Sequence, residues 1–128
     1  MEIKKTNPNN VSPPIAQYHH VTIIPRDAEL ICLSGQIGND KNGELPKDIE
    51  GQFANALDNI KAILESENVQ IHNVFKINFW LTEDIDRNFF VEKWNGFHNG
   101  NPPATTYAYV SGLARPDIKV EIEAWAAR

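Results

Sequence analysis

The sequence predicts an α+β fold of order β-β-α-β-α-β-β, a sheet with two helices on one face. Three observations predict it. From Ile49 to Glu67 apolar residues recur at intervals of three and four, the period of one helical face. From Val74 to Leu81, and again from Lys119 to Ala126, they alternate, the period of a strand with one buried side. The chain has 128 residues, 41% hydrophobic and 23% charged, which is one domain of ordinary globular composition.

The elements follow in order. Residues 1–14 are expected to form an irregular lead-in, because Thr6 to Pro14 is rich in Asn and Pro, and Pro8, Pro13 and Pro14 forbid a regular helix. Tyr18 to Ile24 is β-branched at Val21, Thr22, Ile23 and Ile24. With the short apolar run Leu30 to Ser34 it predicts a hairpin turned at Pro25-Arg26-Asp27. The loop from Gly35 to Gly43 holds three glycines but lacks the Gly-Lys-Ser/Thr ending of a phosphate-binding loop.

The first helix, Ile49 to Glu67, buries Ile49, Phe53, Ala56, Leu57, Ile60, Ile63 and Leu64. Asp48 caps its start, Glu50 meets the positive end of the helix, and Asn68 stops it. Strand Val74 to Leu81 points Phe75, Ile77, Phe79 and Leu81 one way and Val74, Lys76, Asn78 and Trp80 the other. A second helix is expected from Thr82, with Glu83 and Asp84 in its first turn. Its stripe is Phe89, Phe90, Trp94 and Phe97, and its end lies in His98-Asn99-Gly100. Thr105 to Val110 and Lys119 to Ala126 are the last two strands. The latter carries Val120, Ile122, Ala124 and Ala126 on one side and Glu121, Glu123, Trp125 and Ala127 on the other.

Two helices cover one face of such a sheet and not both. The second face then holds Trp80, Tyr107 or Tyr109, and Trp125 among polar residues, so an oligomer that buries it is expected. Twelve Lys+Arg against 17 Asp+Glu give a net charge of -5, which disfavours a nucleic-acid partner. The single cysteine excludes an intrachain disulfide. No apolar run approaches the roughly 20 residues of a membrane span, and the first residues have no apolar segment of the signal-peptide kind, so a cytoplasmic protein without a membrane partner is expected.

The chemistry-bearing residues are few. His19 and His20 are adjacent on a strand and point to opposite faces, while His72 and His98 are isolated, so neither a metal nor another cofactor is expected. Cys32, inside an apolar run, is expected in the core. Glu121 and Glu123 share one face of a largely apolar strand. A partly buried carboxylate beside a cleft can serve as a general base, and the competing reading is a solvated face or a salt bridge across a subunit boundary. Lys76 is expected to balance one of these glutamates across the sheet, with a catalytic amine as the less common reading.

Five blocks, in order, resemble the YjgF/Rid family, also called endoribonuclease L-PSP-like or reactive intermediate deaminase-like proteins. They are Ile31-Cys32-Leu33-Ser34-Gly35-Gln36-Ile37; the helix with Gln52, Ala56, Leu57, Asn59 and Ile60; Asn73 to Thr82; Pro102-Pro103-Ala104-Thr105; and Val120-Glu121-Ile122-Glu123-Ala124. The resemblance runs from about Asn10 to Arg128. It implies a homotrimer with a chorismate mutase-like central barrel and ligand clefts between subunits. It also implies hydrolysis of imines or enamines derived from amino acids, with release of ammonia and a 2-keto acid.

By resemblance Glu121 directs the water, and Ser34, Gly35 and Gln36 form the glycine motif of the pocket. Gln17 or Tyr18 supplies the N-terminal residue of the pocket, an aromatic in the family, and Tyr107 stands where some members have a cysteine. The family's carboxylate-binding arginine follows Pro-Ala, but here Pro103-Ala104 is followed by Thr105, and Arg115 in the next loop is the substitute the sequence offers. Two functions are therefore expected in turn. One is a hydrolase of small imines, enamines or related carbonyl-derived metabolites. The other is a small-molecule-binding regulatory trimer without turnover, favoured by threonine in place of arginine. A ribonuclease is disfavoured by the acidic charge.

Overall fold

A computed structural model describes residues Met1–Arg128. Its elements are strands β1 (Lys4–Thr6), β2 (Val21–Ile23) and β3 (Leu30–Cys32), helix α1 (Ile49–Ser66), strand β4 (Val74–Leu81), helix α2 (Arg87–His98), and strands β5 (Ala104–Tyr109) and β6 (Val120–Ala127). Strands β3-β6-β4-β5 make one sheet, antiparallel except for the parallel pair β4–β5, and β1 and β2 make a separate antiparallel pair. The α+β class and the two helices on one face are as the periodicity predicts.

The core lies between α1, α2 and the sheet. Phe53, Ala56 and Ile60 of α1 meet Ile77 and Phe79 of β4 and Val120, Ile122 and Ala124 of β6, all fully buried. Asp48 caps α1 by accepting from the Gly51 amide at 3.1 Å. Asn68 turns the chain out of α1 at φ 58°, the left-handed region that asparagine tolerates better than most residues. Gln52 is fully buried and fully satisfied. Its Nε2 donates to the Pro46 and Asp117 carbonyls at 2.8 and 2.9 Å, and its Oε1 accepts from the Lys119 amide at 2.8 Å.

Several expectations are corrected. The lead-in is not irregular throughout, because Lys4–Thr6 pairs with β2. The predicted hairpin does not form: β2 joins β1, while β3 runs along β6 with Cys32 opposite Trp125. That register puts Cys32 on the sheet face away from the helices, where its thiol is exposed, and Leu33 is the buried neighbour. An uninterrupted apolar run carries no alternation from which to read a face. A register shift between Val74 and Lys76 turns Val74 into the core and leaves Phe75 half-buried, the reverse of strict alternation. Helix α2 starts five residues later than expected. Thr82 still bonds to Lys119, and Asp86, not Thr82, caps the helix by accepting from the Phe89 amide at 2.9 Å. Tyr107 and Tyr109 do not share the open face with Trp80 and Trp125; Tyr107 packs against Phe90 of α2, ring centres 5.1 Å apart.

The β1–β2 pair packs at the start of β4 and β5. Thr22 donates to the Phe75 carbonyl at 2.7 Å, His19 to the Pro103 carbonyl, and Lys5 to the Asn101 carbonyl. Beside Lys5, His98 is buried, and its Nε2 has no partner. Burial first, then the Lys5 and His19 charges, push its imidazole down to about 4 from 6.5. Between those values the unfolded chain takes up a proton that the folded chain refuses, so stability falls as pH drops from about 6.5 towards 4. Urea midpoints measured across that window should fall more steeply for the wild type than for His98→Gln.

Candidate functional site

The uncovered face of the sheet is built from three strands. Alternation places Glu121, Glu123 and Trp125 of β6 beside Trp80, Asn78 and Lys76 of β4, with Thr106 of β5 next to them. Lys76 is tied to neither glutamate. It stands opposite Trp125 and donates to the Thr106 hydroxyl at 2.8 Å, and burial lowers its pKa. Glu123 is engaged, because the Trp80 indole N–H donates to its carboxylate. Glu121 is half-buried and has no ion-pair partner in the chain. The two glutamates are thus distinguished: one is bound into the sheet, the other is available.

Leu33 to Gln36 extends β3 along β6. Leu33 bonds to Ala124, and Gln36 exchanges two backbone bonds with Ile122 at 2.8 and 2.9 Å. Between these contacts the Glu121 side chain crosses the backbone of Gly35, where a Cβ would stand 2.0 Å from its Oε2. Gly35 is therefore required by close approach. Gly35→Ala is expected to displace the Glu121 carboxylate. Any reaction that uses Glu121 should slow at least tenfold while thermal unfolding moves by only a few degrees, which paired assays and melting curves would check.

Ser34 and Gln36 flank this point, with the Gln36 amide donating to the Ser34 carbonyl at 3.1 Å. Tyr18, Thr105 and Tyr107 lie elsewhere. They line a cavity of about 790 Å³ between α2, the edge strand β5 and the segment Ile15–Tyr18. The Trp94 indole N–H fixes that segment by donating to the Gln17 carbonyl at 2.8 Å. The walls are largely aromatic, from Phe79, Phe90, Trp94 and Tyr107. The Thr105 hydroxyl donates to the Pro103 carbonyl at 2.9 Å. Burial, then the hydrogen bond with Tyr109, push the Tyr107 hydroxyl far up, so it stays protonated at neutral pH.

The predicted site residues therefore fall into two halves. Glu121 with Ser34, Gly35 and Gln36 lies on the open face, and Tyr18, Thr105 and Tyr107 lie on the helix side of the far edge. They cannot meet one small molecule within a single chain. Arg115 joins neither half, because it does not line the cavity and forms a two-pronged pair with Asp117 at 3.0 and 3.1 Å. The arginine that lines the cavity is Arg87. Sequence reasoning missed it, although Arg87, Phe90, Val91 and Trp94 fall at i, i+3, i+4 and i+7, one stripe of one helix. No three His, Cys, Asp or Glu side chains converge as metal ligands would, and no helix is long and apolar enough to cross a membrane.

Residues 9–128 match the family model described as endoribonuclease L-PSP. The 2-iminobutanoate/2-iminopropanoate deaminase of Escherichia coli K12 is 35% identical over 103 residues, covering 77% of this chain and 80% of its own length. The crystal structure of the Rid-family protein YyfB from Yersinia pestis superposes with a TM-score of 0.87 over 100% of both chains at 22% identity, a likeness of fold. The E. coli protein TdcF, crystallised with bound serine, superposes with a TM-score of 0.70 at 27% identity, covering 98% of this chain and 99% of its own.

Proposed function

We propose, from the fact that the chain belongs to the endoribonuclease L-PSP (YjgF/Rid) family, that it hydrolyses small imines or enamines at a cleft between two subunits. The family relatives named as deaminases support a deaminase-like role. The observation that carries the finer reading is the placement of Glu121. Its carboxylate is half-buried, unpaired and laid over a glycine beside the open sheet face.

In the reaction, Glu121 takes a proton from water as the oxygen bonds to the imine carbon. That proton passes to the imine nitrogen to give a carbinolamine, and the hydroxyl proton then passes to nitrogen as the carbon–nitrogen bond breaks, leaving ammonia and a carbonyl product. A neighbouring subunit that sets its Glu121 face against the β5 edge would unite the two half-sites. β5 pairs only with β4 and leaves its outer edge unpaired, and Ile15 beside the cavity is 91% exposed. The expected assembly is a homotrimer, with the open faces carrying Trp80 and Trp125 turned inward. Gel filtration should give a species near three times 14.5 kDa, and a monomer at micromolar concentration would overturn the reading.

The direct test couples an amino-acid oxidase, which makes the imine, to semicarbazide trapping. The protein should divert imine to keto acid and lower the semicarbazone yield. A second reading, a ligand-binding trimer without turnover, is favoured by Thr105 at the position of the family arginine. Ligand-dependent melting without keto-acid release would select it.

A further inference from the structure

We propose that Arg87 is the carboxylate anchor of this cleft, and that the cleft takes 2-imino or 2-keto acids with a bulky apolar or aromatic side chain. The proposal rests on the reading of the cavity as the substrate half-site and adds the residue and the ligand class.

Four observations carry it. The position after Pro103-Ala104 is Thr105, whose hydroxyl proton is already given to the Pro103 carbonyl, so it offers an anion no charge and no free donor. Arg115 is held by Asp117 outside the cavity. Arg87 is the one cationic side chain among the 14 residues lining the cavity, and it has no ion-pair partner in the chain. A guanidinium with its donors free is suited to a two-pronged grip on a planar carboxylate. The fourth observation is the wall itself. Ten of the 14 lining residues are hydrophobic; Phe90 and Trp94 lie on the same helix stripe as Arg87, and Tyr107 of β5 packs against Phe90.

A phenyl or branched alkyl group would be desolvated against these rings, whereas a two- or three-carbon acid reaches few of them. Asp84 also lines the cavity without pairing to Arg87. Its charge opposes an anion, so Asp84→Asn should strengthen the grip.

Phenylpyruvate, pyruvate and the uncharged phenylacetone serve as probes, with binding measured by calorimetry on the intact assembly. The wild type should bind phenylpyruvate at least tenfold more tightly than pyruvate. Arg87→Ala should weaken phenylpyruvate roughly 10- to 100-fold and leave phenylacetone unchanged, with Arg87→Lys in between. Equal binding of phenylpyruvate by wild type and Arg87→Ala would overturn the anchor. Equal binding of pyruvate and phenylpyruvate would overturn the ligand class. Keto-acid release is the separate readout: Arg87-dependent binding without release sinks the hydrolase and leaves the anchor standing, while Glu121-dependent release indifferent to Arg87 does the reverse.

Discussion

Glu121→Gln is expected to lower imine hydrolysis by about 10²- to 10⁴-fold, the range a positioned general base supplies. The amide keeps the shape of the side chain, so its packing over Gly35 and the assembly should persist, and only the proton acceptor is removed. Glu123→Gln is the internal control. Glu123 faces the same way two residues along β6 but is bonded to the Trp80 indole, so its loss should act on local stability more than on rate. Equal rates in wild type and Glu121→Gln, with the oligomer intact, would remove the carboxylate from the chemistry. Equal losses in the two variants would mean that the face is a structural unit and not a site with one reactive group.

Phe79→Ala is expected to destabilise the protein by about 3–5 kcal/mol, the range for deleting a fully buried phenylalanine. Phe79 is 0% exposed and joins the two parts of the molecule. Its ring stands 5.6 Å from Phe53 in the core and 5.0 Å from Trp94, which borders the cavity. Removing it opens a void with core on one side and the cavity on the other. A loss of that size is a large part of the stability of an ordinary domain, so the urea midpoint should fall clearly with the slope unchanged. Ligand affinity should fall with it, because the floor of the cavity is gone. A destabilisation below about 1 kcal/mol would mean that Phe90 and Trp94 collapse into the space.

Much of this was legible in the residues. The 3.6-residue stripe of α1, its Asp48 cap and the strands β4 and β6 were readable because each is a long element with one apolar side, and a local period suffices to define it. Glu121 stood out for the same reason, as a charge on a strand whose other face is apolar. Short elements were less readable. β1, β2 and β3 are three residues each, too few to show a period, so β2 and β3 read as a hairpin although they lie in different sheets. The start of α2 was misplaced because acidic residues suit a first turn wherever it falls. The backbone bond from Thr82 to Lys119, a tertiary contact, delays the helix to Asp86.

By itself the sequence determined the class of fold, the helix-covered face of the sheet and the free side of β6, because these follow from periodicities within single elements. It also carried the family, through blocks spread over nearly the whole chain. Tertiary structure alone decided which arginine enters the cavity, that Cys32 is exposed, that Glu123 and not Glu121 is bonded to Trp80, and that Glu121 and Tyr107 lie on opposite sides of one sheet. Each of these depends on the register between strands and on the packing of a helix against an edge. Such relations join residues far apart in the chain, and a period counted along the chain does not contain them.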